Sequence, residues 1–240
     1  MAEFKFPTEE VELPSKGLIY PKSNPLSSGK VELKYMTAKE EDILTNQNYI
    51  EKGIVLDKLL ESLTMKKVDL KDLCIGDKNA IMVAARILGY GQDYEFTYNE
   101  ENYKVDLSQL KNKEFDSSLV TEQGTGKFTL PKSTSEIEFK FLTDKENDKI
   151  DEEITSLSKI SKNTSAEVTT RLKHTIVSVD GTTERNEIAN FVENYLLAQD
   201  ARALRNYIKD ISPDIDMSFI TNHGEEVMIP ININFFWPDA

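Results

Sequence analysis

Along residues 31–36 apolar and polar side chains alternate, Val31, Leu33 and Tyr35 against Glu32 and Lys34. That period of two is the signature of a half-buried strand. Thr37 follows, with Glu40 three positions on, a capping box that predicts a helix running straight out of the strand. The same grammar returns at 137–148, where IEFKFLTDKEND aligns without a gap to VELKYMTAKEED at 31–42. Glu32/Glu138, Lys34/Lys140, Thr37/Thr143, Lys39/Lys145, Glu40/Glu146 and Asp42/Asp148 are identical. Val31/Ile137, Leu33/Phe139, Tyr35/Phe141 and Met36/Leu142 exchange like for like. Agreement in pattern as well as identity reads as an internal duplication, and so as two related halves of about 110 residues rather than one enzyme core.

The remaining pattern fills in an α+β chain. Residues 1–30 carry Pro7, Pro14, Pro21 and Pro25 and read as an extended N-terminal arm. The first half, 31–110, continues with a helix near 54–64, where Ile54, Val55, Leu59, Leu60 and Leu63 recur at helical spacing. Asp77 is the expected N-cap of the next helix, with Ile81, Met82, Ala84, Ala85 and Leu88 inward and Gly89 and Gly91 as its stop. Residues 94–98 and 103–107 flank Asn99-Glu100-Glu101-Asn102 as a hairpin. Residues 111–130 form a linker or peripheral hairpin, and 131–240 the second half. There the strand at 137–142 leads into a helix, Arg171 to Val179 reads as the last turns of another, and 184–198 and 200–210 are helical. Pro213 breaks the run, and a terminal hairpin pairs 216–220 with 227–238.

Composition narrows the function. A net charge of −13 argues against wrapping a nucleic-acid backbone, since Lys66-Lys67 is the only dense basic stretch. The single Cys74 excludes an internal disulfide framework and suits a reducing cytosol; its place between Leu73 and Ile75 marks it as core. No apolar stretch is long enough to span a membrane, and the N-terminus lacks the apolar run of a signal peptide, so a soluble, cytoplasmic protein is expected.

Catalytic signatures are missing from the sequence. There is no Cys-His nucleophile pair, HExxH helix, phosphate loop or dinucleotide fingerprint, and Gly89-Tyr90-Gly91 follows a helix instead of opening one. His223 lies in a turn without Cys or His neighbours, and His174 stands between Lys173 and Thr175, so neither is expected to hold a metal. The acids of 144–153 are interspersed with Lys145 and Lys149 and read as a solvated helix face. No catalytic, metal or cofactor residue is assigned. Candidate partner contacts are Leu18, Ile19, Tyr20 and Pro21 in the arm, and Phe235, Phe236 and Trp237 at the C-terminus. For the three aromatics, sealing the second half's core is weighed above direct contact with a partner.

Several segments in order carry a resemblance: LPSKGLIYP (13–21), VELKYMTAKEEDIL (31–44), GD…ARILGYG (76–91), VDLSQL (105–110), RLKHTIVSVDG (171–181), DARALRNYI (200–208) and FFWPD (235–239). Together they resemble the T4-type bacteriophage baseplate proteins, the family of the baseplate hub subunit and the baseplate hub assembly catalyst. The resemblance implies a non-enzymatic protein that forms or assembles the central hub of a contractile tail by binding other hub or tail proteins. Its place would be the host cytoplasm during assembly and, for a permanent subunit, the tail baseplate; "catalyst" there refers to promoting assembly. Many relatives carry Cys-x-x-Cys pairs in their two hairpins, suggesting a zinc-ribbon-like site. Here those tips read Asn99-Glu100-Glu101-Asn102 and Asn222-His223-Gly224, so no metal is expected. The alternatives are a transient assembly chaperone absent from the particle, and an acidic-cleft hydrolase using Asp200 or Asp216.

Overall fold

The computed structural model describes residues 7–65, 68–160 and 166–236 of the chain. Trp237 and Lys66-Lys67 lie outside them. The architecture is mixed α+β, with small antiparallel sheets distributed among helices.

Strand β1 (Thr8–Glu12) pairs antiparallel with β2 (Lys30–Lys34), in register from Thr8↔Lys34 to Glu12↔Lys30. The stretch expected as an extended arm is therefore a strand followed by a folded loop. That loop buries Leu13, Ser15, Tyr20 and Leu26. It closes on itself where Gly17 meets Gly29: a Cβ on Gly17 would sit 2.5 Å from Ser27 O, and both glycines have positive φ. From β2 the Thr37 capping box leads into α1 (Ala38–Leu44), followed by α2 (Gln47–Glu51) and α3 (Val55–Leu63). Thr64 then bridges back to Leu33, tying the end of α3 to β2. Helix α4 (Ile75–Tyr90) ends at Gly91, and β3 (Asp93–Tyr98) turns through Asn99 and Glu100, both at positive φ, into β4 (Glu101–Asp106).

The rest of the chain follows a related order, with a strand set between its second and third helices. The segment expected as linker or peripheral hairpin contributes β5 (Thr125–Thr129), which pairs with β6 (Glu136–Lys140). The Thr143 capping box opens α5 (Asp144–Ile160), followed by α6 (Glu167–Thr175). The expected last helical turns at 176–179 are instead a strand, β7 (Ile176–Val179), on the free edge of β6. Its β-branched Ile176, Val177 and Val179 suit a pleated surface better than a helix. Then come α7 (Arg185–Asn194), α8 (Ala198–Ile211) and the hairpin of β8 (Ser218–Ile220) with β9 (Glu226–Met228). The second strand of that hairpin is far shorter than the expected 227–238. Pro230 has no N–H for a ladder, and Ile233–Phe235 form a 3-10 turn.

Side-chain contacts repeat further than the sequence match. Lys34 Nζ reaches Glu40 at 2.8 Å, and Lys140 reaches Glu146 in the same way. Asp77 and Asp200 each occupy the third position of their helix, facing inward, so the N-cap expected at Asp77 moves to Cys74. Asp77 accepts from Ser15 N at 2.9 Å, while Asp200 accepts from Lys132 N at 2.8 Å and Ser133 N at 3.0 Å. Both carboxylates thereby pin the Leu-Pro loop that joins the first two strands of their half, 13–14 in one and 130–131 in the other.

Two apolar cores result, and the chain crosses between them. The second core gathers Ile137, Phe139, Phe141, Leu172, Ile188 and Leu204. Ile215, Met217, Val227, Ile229, Phe235 and Phe236 join the first core, although they close the second half in sequence. Phe219 packs edge-on against both Phe96 and Tyr103, at 5.5 and 5.6 Å, so the two hairpins pack together.

Candidate functional site

The residues singled out as partner contacts divide by burial. Tyr20 is in the core, where its hydroxyl donates to Asp77 Oδ2 at 2.5 Å and accepts from Cys74 N at 3.1 Å. Phe235 and Phe236 are fully buried, Phe235 with its ring 4.8 Å from that of Tyr94. This corrects their assignment as contact residues: a partner could reach them only by opening the core. They seal a core, as weighed from the sequence, but the first half's rather than the second's. Ile19 is half-buried between the two cores, whereas Leu18 and Pro21 are exposed.

The titratable groups considered for chemistry hold structure. Both oxygens of Asp200 accept backbone N–H groups, and Asp216 accepts from Ser218 N at 3.0 Å. Burial acts to raise the Asp200 carboxyl, but the N–H groups of Lys132 and Ser133 outweigh it and hold the group below its ordinary range. His174 pairs with Glu153 at 2.9 Å and His223 with Glu101 at 3.1 Å; the hydrogen bond to Glu101, with its charge, raises the His223 imidazole. That pair joins the tips of the two packed hairpins. Among the described residues, no group of three or more His, Cys, Asp or Glu side chains could hold a metal ion. Cys74 is buried, and burial with the nearby Asp77 charge pushes its thiol up to about 12, which leaves it inert as a nucleophile at neutral pH.

The most distinctive surface feature lies on the seam between the halves, and local sequence reasoning missed it. The backbone stitches the seam: Cys74 bridges Thr143, and Asp144 N donates to Leu73 O at 2.8 Å. Beside this stitch, Lys71 and Lys78 of the first half both reach Asp144 of α5, at 2.9 and 3.0 Å, and both also contact Asp57. On the other side, Gly76 fits so tightly that a Cβ would lie 2.0 Å from Pro213 O. Between these contacts opens a groove of about 280 Å³. Its floor is apolar, built from Phe141, Leu142, Leu172, Ile208 and Pro213, with Ile75 at its lip. Lys140, Arg171 and Arg205 also line it, and no carboxylate does among the described residues.

The three cations are not equivalent. Lys140 is engaged by Glu146, and Arg171 by Asn147, Asp151 and Glu167. Arg205 donates through Nε to Ala201 O at 3.3 Å, and among the described residues it has no carboxylate partner. Ile75 is 56% exposed although it opens a core helix. A further hollow, on the face of the β5-β6-β7 sheet, is larger at about 360 Å³ but is lined by Glu136, Glu138 and Lys127. Phe128 and Ile137 line it too, so its apolar surface is interrupted by acids, unlike that of the seam groove.

Comparison with known proteins adds no relative: no protein-family model matches the chain, and neither a curated protein nor a solved structure does.

Proposed function

We propose that this chain is a non-enzymatic tail protein of a T4-type contractile phage, which forms or assembles the central baseplate hub by binding other hub subunits. The observation that carries the reading is the ordered set of segments resembling that family, from LPSKGLIYP at 13–21 to FFWPD at 235–239. Within the described residues these segments sit at the joints of the fold. Ser15 and Tyr20 anchor on Asp77, and Arg86 donates to the carbonyls of Gly91 and Asp93, at 2.8 and 3.1 Å, where α4 hands over to the hairpin. Asp200 fixes the corresponding loop of the second half. The resemblance therefore rests on residues that build the scaffold, and the scaffold carries an apolar groove suited to binding. The hydrolase reading draws less support, because both oxygens of Asp200 are taken by backbone N–H groups and Asp216 accepts from Ser218 N at the start of the terminal hairpin.

Quantitative mass spectrometry of purified phage particles, alongside lysate of infected cells, tests the proposal. A fixed ratio to hub and tube proteins in particles makes the chain a structural subunit of the baseplate. Presence in lysate and tail intermediates but not in particles makes it a transient assembly factor of the host cytoplasm. Absence from both particles and tail intermediates overturns the proposal.

A further inference from the structure

We infer that the seam groove docks a segment of a partner protein that presents an apolar anchor side chain flanked by carboxylates. The inference rests on the reading of the chain as a hub-binding protein and specifies the chemistry of its partner. Three observations point to this occupant. The first is size. At about 280 Å³ the groove falls just below the range of roughly 300–1,000 Å³ for small-molecule sites, which suits one anchoring side chain of a longer segment better than a whole cofactor. The second is the exposed Ile75 on the lip of an apolar floor, a side chain that gains burial only when something covers it.

The third observation is charge. The chain carries a net charge of −13, yet this groove is lined by three cations and, among the described residues, by no acid. Arg205 is the cation left for a partner: its guanidinium has no carboxylate of its own among the described residues, and its planar fork suits bidentate carboxylate binding. Lys140 and Arg171 already have acids of their own, Glu146 for the one and Asp151 and Glu167 for the other, so they add less to the pull on a partner than Arg205 does. The net charge also chooses between a second copy and another protein. Two copies at −13 repel at long range, whereas a local acidic stretch on another protein is drawn to Arg205.

The test pans a random dodecapeptide library on the full-length chain, with counter-selection on the Ile75→Glu/Arg205→Glu variant. Both positions are exposed, and thermal unfolding of the variant checks that it folds. Selected clones are then measured by fluorescence anisotropy against the wild type, Arg205→Glu and Arg205→Lys. Expected are clones in which Leu, Ile or Phe stands beside Asp or Glu. They should bind Arg205→Glu at least about tenfold more weakly than the wild type, with Arg205→Lys between. Amide shifts of the labelled wild-type protein should then change at Ile75, Phe141 and Ile208, a readout that needs no variant. Clones that are basic or uncharged, clones that bind the variant equally well, or shifts that map elsewhere overturn the inference. So does a dimer in sedimentation that Arg205→Glu dissolves, because the occupant would then be a second copy. A chain present in particles whose groove selects no acidic peptide loses this inference and keeps the baseplate reading. Acidic selection by a chain absent from particles and tail intermediates does the reverse.

Discussion

Removing the Asp77 carboxylate should loosen the N-terminal loop and cost the fold about 2–4 kcal/mol. Asp77 is fully buried in α4 and accepts three hydrogen bonds: from Ser15 N at 2.9 Å, Ser15 Oγ at 2.6 Å and Tyr20 Oη at 2.5 Å. With Asp77→Ala the Ser15 N–H and the Tyr20 hydroxyl lose their acceptor inside the core, and each orphaned donor costs about 1–3 kcal/mol. Release of a buried charge returns part of that cost, which sets the net value. With Asp77→Asn one oxygen still accepts from Ser15 N, and the two hydroxyls can rotate to accept from the new amide, so the loss should be nearer 1 kcal/mol. Urea unfolding at constant m value measures both, and a double-mutant cycle with Tyr20→Phe should return a coupling of about 1 kcal/mol or more. A loss below about 0.5 kcal/mol for Asp77→Ala, or a coupling near zero, refutes the claim that this carboxylate holds the loop.

The same site carries a pH signature. Burial holds the Asp77 carboxyl above its ordinary range, because the hydrogen bonds from Ser15 and Tyr20 favour the charged form too weakly to offset desolvation. The folded chain thus takes up the proton at a higher pH than the unfolded chain. Stability from this protonation is present below the ordinary carboxylate range and is lost as pH rises through the raised folded value. The deficit of Asp77→Asn relative to wild type should therefore shrink as pH rises through that window. A deficit that grows with pH would mean that the carboxylate, not the acid, is the form favoured by folding.

Gly76→Ala should destabilise by about 2–3 kcal/mol in thermal unfolding, because its Cβ would lie 2.0 Å from Pro213 O and the backbone on either side is packed; an unchanged midpoint would show that the seam yields. Glu40→Gln should cost about 2–3 kcal/mol and Glu146→Gln about 1, since Glu40 is fully buried beside Lys34 while its counterpart keeps some exposure. Burial acts to raise the Glu40 carboxyl, but hydrogen bonds from Lys34, Ser62 and Thr37 outweigh it and lower the group to about 2, so its contribution is full above 4.5 and falls away as pH drops to about 2. A flat difference between wild type and Glu40→Gln across pH 4.5 to 2 would contradict that assignment. Cys74 should resist iodoacetamide at neutral pH and label only at the rate of opening, being buried with its thiol pushed up to about 12; rapid stoichiometric labelling of the native chain would disprove the packing around it.

What the sequence made legible was local. Alternation at 31–36 and 137–142, and the Thr37 and Thr143 capping boxes, specify strand-to-helix junctions through neighbours within one turn, and the structure forms both. The carboxylate anchors escaped because the loops they pin have different lengths, 13–29 in one half and 130–135 in the other, which breaks any ungapped match. The strand at 176–179 was hidden by helical residues running directly into it, with only its β-branched composition as a signal. Aromatic character favours burial of Phe235 and Phe236 over partner contact but does not choose the core, since nothing local states that the last segment returns to the first half. The groove had the weakest signal of all. Ile75 reads as one more apolar helix residue and Arg205 as one more polar one, and only the tertiary seam sets them side by side.

That seam also decides how the halves relate physically. Surface ion pairs contribute little and are screened by salt, and Lys71, 41% exposed, belongs to that class. Lys78 with Asp144 is better shielded, but the contacts that fix geometry are apolar or backbone: the Cys74–Thr143 bridge, Gly76 against Pro213, and Phe219 edge-on against the Phe96–Tyr103 pair. Because the second half's hairpin lies in the first half's core, separating the halves would strip apolar surface from that core as well as from the seam. The halves should therefore unfold together even at high salt, despite two distinct cores. The groove is shaped by the same seam contacts, so its floor is preorganised by folding and needs no partner to form it. A segment that docks there would bind the folded chain alone and so stabilise both halves at once.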